Sequence, residues 1–170
     1  MDGRLDAAVS EGIRIDPAIA GDESTLAVLC SLVQEMHARE RPDFFKRVNL
    51  SALDMWFSDA LGNAAFKIWL ARVDGTPAGY AVVTEQRRDD NVFGHSRRWY
   101  EVEQVGVRPE FQRRGIARAL LARASESAAA EGISEIELTT WHFNEAARES
   151  FERCGFVVKS VRLERPVKAV

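Results

Sequence analysis

The segment that most constrains the fold of this chain runs from Val105 to Ala117, with the sequence VGVRPEFQRRGIA. Alternating valines end a predicted strand, a short turn follows, and apolar residues at helical spacing begin directly after the turn. The first amides of a helix have no partners within the helix, and with the helix dipole they form a site for a phosphate group. Gly115 has no Cβ and allows an anion to approach the backbone, while Arg113 and Arg114 add positive charge. The segment therefore predicts either an anion site or, as the alternative, a surface turn with solvated arginines.

Two common nucleotide motifs are absent from this segment. It does not contain GxxxxGK[ST], the phosphate loop that binds ATP, and it does not contain the GxGxxG sequence of dinucleotide-binding folds. Neither ATP nor a dinucleotide is therefore favoured as the ligand.

The periodicity of the remaining chain predicts a mixed α/β sheet in a single domain at residues 12–168, after a flexible N-terminus at residues 1–11. Helical spacing predicts a first helix that begins after a cap at Asp22 or Ser24 and ends before Pro42, a second near 51–61, a third at 114–131 and a fourth at 145–153. Strands are predicted at 13–16, 66–73, 78–85, 99–107, 134–140 and 156–164. This order implies an antiparallel N-terminal part followed by a crossover that joins parallel strands.

The strand predicted at 99–107 contains an irregularity. Val102 lies out of register with the alternation of Val105 and Val107. A β-bulge shifts the phase in this way. A strand that is buried on both faces would give the same pattern, so the sequence leaves both interpretations open.

Composition and charge make several classes of function less favoured. The chain has 170 residues, a net charge of −3 and a pI near 5.7, which gives no reason to expect a nucleic-acid partner. No apolar run approaches the roughly 20 residues that span a bilayer, and the N-terminus lacks a signal-peptide pattern. Cys30 and Cys154 stand apart from each other and from any histidine pair, which favours reduced thiols without a metal. We expect a cytoplasmic protein with no membrane partner.

Three motifs in this chain resemble those of the GNAT superfamily of N-acetyltransferases. QRRGIA at 112–117 fits that family's Q/R-x-x-G-x-G/A element, and VGVRPEF is similar to the V-x-P-E-[YF] sequence that precedes it. WHFNEAARESFERCGF at 141–156 is similar to the family's N-x-x-A-x-x-x-[YF]-x-x-x-G-F stretch. The motifs lie in the family's order and at about its separation, and the resemblance covers nearly the whole chain.

The resemblance implies a fold and an activity. The fold is a mixed sheet of six to seven strands with a splayed central pair of parallel strands, flanked by about four helices. The activity is transfer of an acetyl group from acetyl-CoA, without a metal, to an amine of a small molecule, peptide or protein by direct attack in a ternary complex. A CoA-binding regulatory module without turnover is the alternative. A homodimer is compatible with the resemblance, but the sequence indicates no interface.

The resemblance also implies which residues hold the cofactor. Main-chain groups of Val105 and Val107 would bind the pantetheine arm, and Asn144 would hydrogen-bond that arm, although it fits a helix N-cap equally well. Phe151 occupies a position where many members carry a tyrosine that protonates the leaving thiolate. Phenylalanine cannot do so, and we expect it to pack against the cofactor arm. The expected cofactor set comprises Val105, Gly106, Val107, Gln112, Arg113, Arg114, Gly115, Ile116, Ala117, Arg118, Asn144 and Phe151.

The expected chemistry requires a proton acceptor, because an alkyl amine with a pKa near 10.4 is mostly protonated at neutral pH. Glu103 is the candidate base because it lies on the strand beside the cofactor, and Glu101 shares its parity and is the reserve. Solvated edge charges are the alternative interpretation for both. Less favoured proton carriers are His37, His142 and Tyr100.

The sequence does not identify the acceptor. We expect the first two helices and the loop after the second central strand to bind it. The arginines there would hold an acidic group of the acceptor or are simply solvated. The candidate residues are Arg39, Arg41, Asp43, Arg87, Arg88, Arg97 and Arg98.

Overall fold

The computed structural model of the protein describes residues 12–167, so the predicted flexible N-terminus at 1–11 lies outside the described residues. The chain divides into two units, Met1–Thr139 and Thr140–Val170. The described part of the first unit contains five strands and three α-helices, and that of the second contains one α-helix.

The helices and strands follow the predicted order up to the last helix. The first unit contains β1 (Ile13–Pro17), α1 (Glu23–Glu40), α2 (Leu50–Leu61), β2 (Phe66–Val73), β3 (Thr76–Arg88), β4 (Arg97–Val107), a short 3-10 helix (Pro109–Phe111), α3 (Ile116–Ala130) and β5 (Ile136–Leu138). The second unit contains α4 (Glu145–Arg153). The sheet order is β1-β2-β3-β4-β5, and only the β4–β5 pair is parallel. The predicted mixed sheet, antiparallel first and parallel last, is confirmed.

Alternate residues of the central strand β3 face two helical layers. Tyr80 and Val82 pack into a core with Leu26 of α1 and Phe57 of α2, all fully buried. Gly79 faces the other layer, where a Cβ would lie 3.1 Å from Ile116 Cγ2 of α3. The first turn of α3 is therefore packed closely against the sheet.

A β-bulge in β4 is confirmed. Across the β3–β4 pair, Val82 lies opposite Gln104 and the next residue, Val83, lies opposite Val102. Glu103 is the extra residue of the bulge, which explains the change of phase seen in the sequence. Of the two interpretations of this strand, the bulge is the one that the register supports.

The strand count differs from the expectation of six to seven. The described residues form five strands, and the strand predicted at 156–164 is wrong because no strand forms there. Valines and leucine in this segment are largely exposed, as with Val157 at 86% and Leu163 at 88%. β-Branched residues favour a strand only where a neighbouring strand supplies packing and hydrogen bonds, so composition alone misled the prediction.

No helix within residues 12–167 combines the length and apolar character needed to cross a membrane.

Candidate functional site

The turn between β4 and α3 ends in an open helix N-terminus. Arg113 and Gly115 both have positive φ, 61° and 83°, and this conformation turns the chain into α3. Gly115 is the N-cap residue and offers no side chain to the first-turn amides. A Cβ built on Gly115 meets nothing within 4 Å, so the space in front of the helix is open. An open, uncapped helix start of this kind is suited to binding an anion.

Polar and basic side chains surround this helix start. Gln112 donates from Nε2 to the Val107 carbonyl at 3.2 Å, which fixes the turn against the end of β4. The Arg114 guanidinium lies 5.6 Å from the centre of the Phe111 ring. Arg113, Arg114 and Arg118 are exposed, whereas Ile116 is buried and anchors the helix, and Ala117 is half-buried. The predicted anion-binding residues from Gln112 to Arg118 thus lie together at one helix end.

Among residues 12–167, no strand lies beside one edge of β4 along its second half. β5 pairs with β4 only from Tyr100 to Val102, whereas β3 pairs with the opposite edge as far as Val107. Within the described part of the chain, the stretch from Glu103 to Val107 therefore presents main-chain donors and acceptors to no strand on its β5 side. This open edge, Glu103–Val107, includes the predicted Val105, Gly106 and Val107 and runs into the turn before α3.

Gly106 is required by close packing beneath the open edge. A Cβ at this position would lie 2.7 Å from the Tyr80 ring and 2.8 Å from Val33 Cγ2. The absence of a side chain at Gly106 therefore lets α1 and β3 approach β4 closely.

The two candidate carboxylates have different surroundings. Glu103 accepts a hydrogen bond from the Thr84 hydroxyl at 2.7 Å. Glu101 accepts one from Trp99 Nε1 at 3.2 Å. Burial raises the pKa of Glu101, and the nearby Glu103 and Glu137 add to that rise against the lowering effect of the Trp99 hydrogen bond.

Sequence reasoning missed a polar contact set beside the bulge. Gln104 Oε1 accepts hydrogen bonds from the Tyr80 hydroxyl at 2.9 Å and from Cys30 Sγ at 3.2 Å. Regular strands point consecutive side chains to opposite faces, but the bulge lets Glu103 and Gln104 both contact side chains from the α1–α2 side. The break in alternation at Val102 was the only signal in the sequence, and it does not identify the partners.

The less favoured proton carriers are placed as follows. His37 stacks on Phe45 with ring centroids 4.9 Å apart, and burial lowers its pKa. Tyr100 is fully buried. His142 belongs to the second unit.

The arginines proposed for acceptor binding have partners within the protein. Arg41 pairs with Asp43 at 2.9 Å, and both Arg87 and Arg98 pair with Glu85, at 2.7 and 2.8 Å. Further partners are Glu40 for Arg39, the His95 carbonyl for Arg88, and Glu135 and Glu137 for Arg97. Their charges are thus partly neutralised by the protein itself.

The second unit contains the remaining two predicted residues. Asn144 Oδ1 accepts from the Ala147 amide at 3.2 Å, so its N-cap role is confirmed. The Phe151 ring packs edge-on against Phe156, with centroids 6.2 Å apart. The predicted contacts of both residues with the cofactor stay predictions.

Among residues 12–167, no three His, Cys, Asp or Glu side chains are grouped so as to hold a metal ion.

Comparison with known proteins gives a family and a fold. Residues 33–156 match the model of the acetyltransferase (GNAT) family. The BH1408 protein of Bacillus halodurans, solved as a tetramutant, has 22% identity and a TM-score of 0.81, covering 91% of this chain and 99% of its own. The aminoglycoside N-acetyltransferase AAC(6')-Iy, solved with CoA, has 18% identity and a TM-score of 0.73, covering 92% and 95%. At these identities the solved structures show a common fold. Among curated proteins, none matches the sequence significantly.

Proposed function

Because the chain belongs to the acetyltransferase (GNAT) family and is an acyltransferase, we propose that it moves an acetyl group from acetyl-CoA to the amine of a small molecule. The proposal rests above all on the open edge of β4, Glu103–Val107, which continues into the uncapped N-terminus of α3. An extended, amide-containing arm fits such an edge, and a diphosphate fits such a helix start. The relative AAC(6')-Iy has been solved with CoA.

The residues present suit a CoA-type ligand. Main-chain groups of Val105 and Val107 would hold the pantetheine arm along the open edge. Amides from Arg113 to Arg118 would hold the diphosphate, because Gly115 leaves the space before them open and exposed arginines supply positive charge. We also propose that Asn144 and Phe151, which belong to the second unit, contact the cofactor. This part of the proposal rests on the family motif alone. Bound acetyl-CoA supplies the thioester whose acetyl group is transferred.

We assign the proton-accepting role to Glu103, with Glu101 as the reserve. The attacking amine must lose a proton, and a carboxylate beside the open edge accepts it directly or through one water. The Val105 amide is placed on the same edge and would polarise the thioester carbonyl. Most of the rate enhancement would then come from alignment of the two reactants, which is able to supply roughly 7 to 11 kcal/mol.

The carboxylates near the bulge favour a cationic acceptor. Two such carboxylates are Glu101 and Glu103, and Glu103 is close enough to Glu101 to raise its pKa. Glu137, opposite Glu101 in the β4–β5 register, is already paired with Arg97. By contrast, the arginines that would select an acidic acceptor are paired within the protein. AAC(6')-Iy has also been solved with a bisubstrate analogue that joins CoA to an acetylneamine group. We therefore propose a small-molecule amine with further positive charge.

Two measurements test the proposal together. Thiol release from acetyl-CoA is followed across a panel of polyamines, aminoglycosides, amino acids and neutral amines, while calorimetry measures CoA binding. We expect CoA binding together with turnover on cationic amines. Binding of CoA without turnover on any amine would instead support the regulatory module, and absence of CoA binding would refute the proposal.

The variant Glu103→Gln tests the base. Removing a general base costs about 10²- to 10⁴-fold in rate, and we expect a loss of kcat in that range with unchanged affinity for CoA. Glu110→Gln is the matched control, since Glu110 is exposed in the 3-10 helix and lies outside the proposed catalytic groups. Wild-type turnover by Glu103→Gln would remove this residue from the mechanism.

A further inference from the structure

Thr84 on β3 is an exception in the core of the first unit. Among the buried residues that the structure describes, it is the one with a polar side chain once tyrosine, tryptophan and cysteine are set aside, and it is only 8% exposed. It follows Tyr80 and Val82 at alternate positions of β3, so its side chain faces the α1–α2 layer. A valine would fill the same volume without a polar group that needs a partner. The hydroxyl therefore calls for a specific explanation.

The Thr84 hydroxyl is the middle member of a directed chain of hydrogen bonds. Gln86 Nε2 donates to Thr84 Oγ1 at 2.8 Å, and Thr84 Oγ1 donates to Glu103 Oε1 at 2.7 Å. The direction follows from chemistry, because an ionised carboxylate only accepts and an amide nitrogen only donates. The single hydroxyl proton is thus committed to Glu103.

The position of Glu103 in the strand leaves its side chain with few other restraints. It is the extra residue of the bulge in β4 and is exposed, so no ladder partner and no core packing restrains its side chain. A free glutamate distributes its carboxylate over several rotamers. The bond from a buried donor on the neighbouring strand selects one of them and leaves the second carboxylate oxygen, Oε2, for another partner.

We propose that Thr84 is a positioning residue for the reaction, holding the Glu103 carboxylate in the orientation that accepts the proton of the acceptor amine. Gln86 in turn fixes the Thr84 hydroxyl. This inference rests on the proposed function, because it assigns to Glu103 the role of base. It adds a residue on β3 that touches neither the acceptor nor the cofactor in that role.

The test is the variant Thr84→Val, which removes the hydroxyl and keeps the shape. A hydrogen bond to a charged group is lost, and we expect kcat to fall roughly tenfold. The KM for the acceptor and the affinity for CoA should be unchanged, because Thr84 contacts neither ligand in this assignment. Thr84→Ser restores the hydroxyl and should restore most of kcat. Thr76→Val, an exposed threonine at the start of the same strand, is the matched control and should behave as wild type.

A double-mutant cycle separates positioning from general structural damage. In the Glu103→Gln background, Thr84→Val should cause no further loss of kcat, because the residue it positions no longer acts as a base. Gln86→Met, at a half-buried site, should lower kcat in the wild-type background only. It also tests the hydrogen-bond chain if Thr84→Val does not fold.

The outcomes distinguish this inference from the proposed function. Wild-type kcat in Thr84→Val, with a slow Glu103→Gln, would overturn the positioning role and leave the base in place. Additive losses in the double variant would overturn it as well. Wild-type kcat in Glu103→Gln would overturn the base and the positioning role together.

Discussion

The substitution Gly115→Glu tests the anion site most directly. Gly115 has φ of 83°, so any other residue there is strained by about 1 to 2 kcal/mol. A native domain is stable by about 5 to 15 kcal/mol, so the variant should remain folded. Its carboxylate would stand at the first-turn amides and occupy the place of the ligand's negative charge.

The magnitude of the effect on binding follows from Coulomb's law. Taking a separation of about 6 Å and an effective dielectric constant of about 20 to 80, repulsion amounts to about 0.7 to 2.8 kcal/mol for each phosphate charge. For the two charges of a diphosphate the total is about 1.4 to 5.5 kcal/mol, which weakens CoA binding at least about tenfold. Gly115→Ala carries the same backbone strain without the charge and is the control.

Calorimetric titration with CoA at low and high salt provides the assay. We expect Gly115→Glu to bind far more weakly than Gly115→Ala at low salt, and the difference to shrink at high salt because screening acts over about 10 Å at 0.1 M. Urea unfolding should show similar stabilities for the two variants. Wild-type affinity in Gly115→Glu, or an equal loss in both variants, would refute the electrostatic reasoning.

Two further predictions concern packing and pH. Gly106→Ala places a Cβ 2.7 Å from the Tyr80 ring, and we expect urea unfolding to show a loss of about 1 to 3 kcal/mol; an unchanged midpoint would contradict the close packing. Arg98, and then Arg87, hold the pKa of Glu85 at about 2, below its usual 4.5. A lowered pKa stabilises the folded state above about pH 4.5, and this stabilisation is lost as the pH falls towards 2. The urea midpoints of the wild type and Glu85→Gln should therefore differ most near neutral pH and converge in acid. A constant difference across that range would contradict the ion pairs.

Local sequence signals predicted the elements of the fold more reliably than their partners. Periodicity placed the helices and the central strands, and the out-of-phase Val102 indicated the bulge in β4. The segment at 156–164 has the composition of a strand, yet it forms none. Composition reports the preference of a residue for a pleated surface, and a strand also requires a neighbour that the local sequence does not specify.

In the candidate site, too, features within one short segment were predictable, whereas contacts between distant residues were not. The helix start at Gly115 was predictable because its chemistry lies within one short segment. The contacts of Thr84 with Glu103 and of Tyr80 with Gln104 join residues 19 and 24 positions apart, respectively. They depend on the register of β3 against β4, which a one-residue bulge sets and a single sequence does not reveal.

The bulge at Glu103 also limits how the gene can change length. Deleting this one residue would make β4 a regular strand and leave Tyr100 and Val102 opposite the same residues of β3, whereas inserting a further residue beside it would turn both to the opposite side of the sheet. A frame-preserving insertion in the exposed loop after β3, around Val92 and Phe93, would leave that register intact. Related sequences should therefore vary in length in the loop, whereas β4 should not gain a residue between its start and the turn before α3.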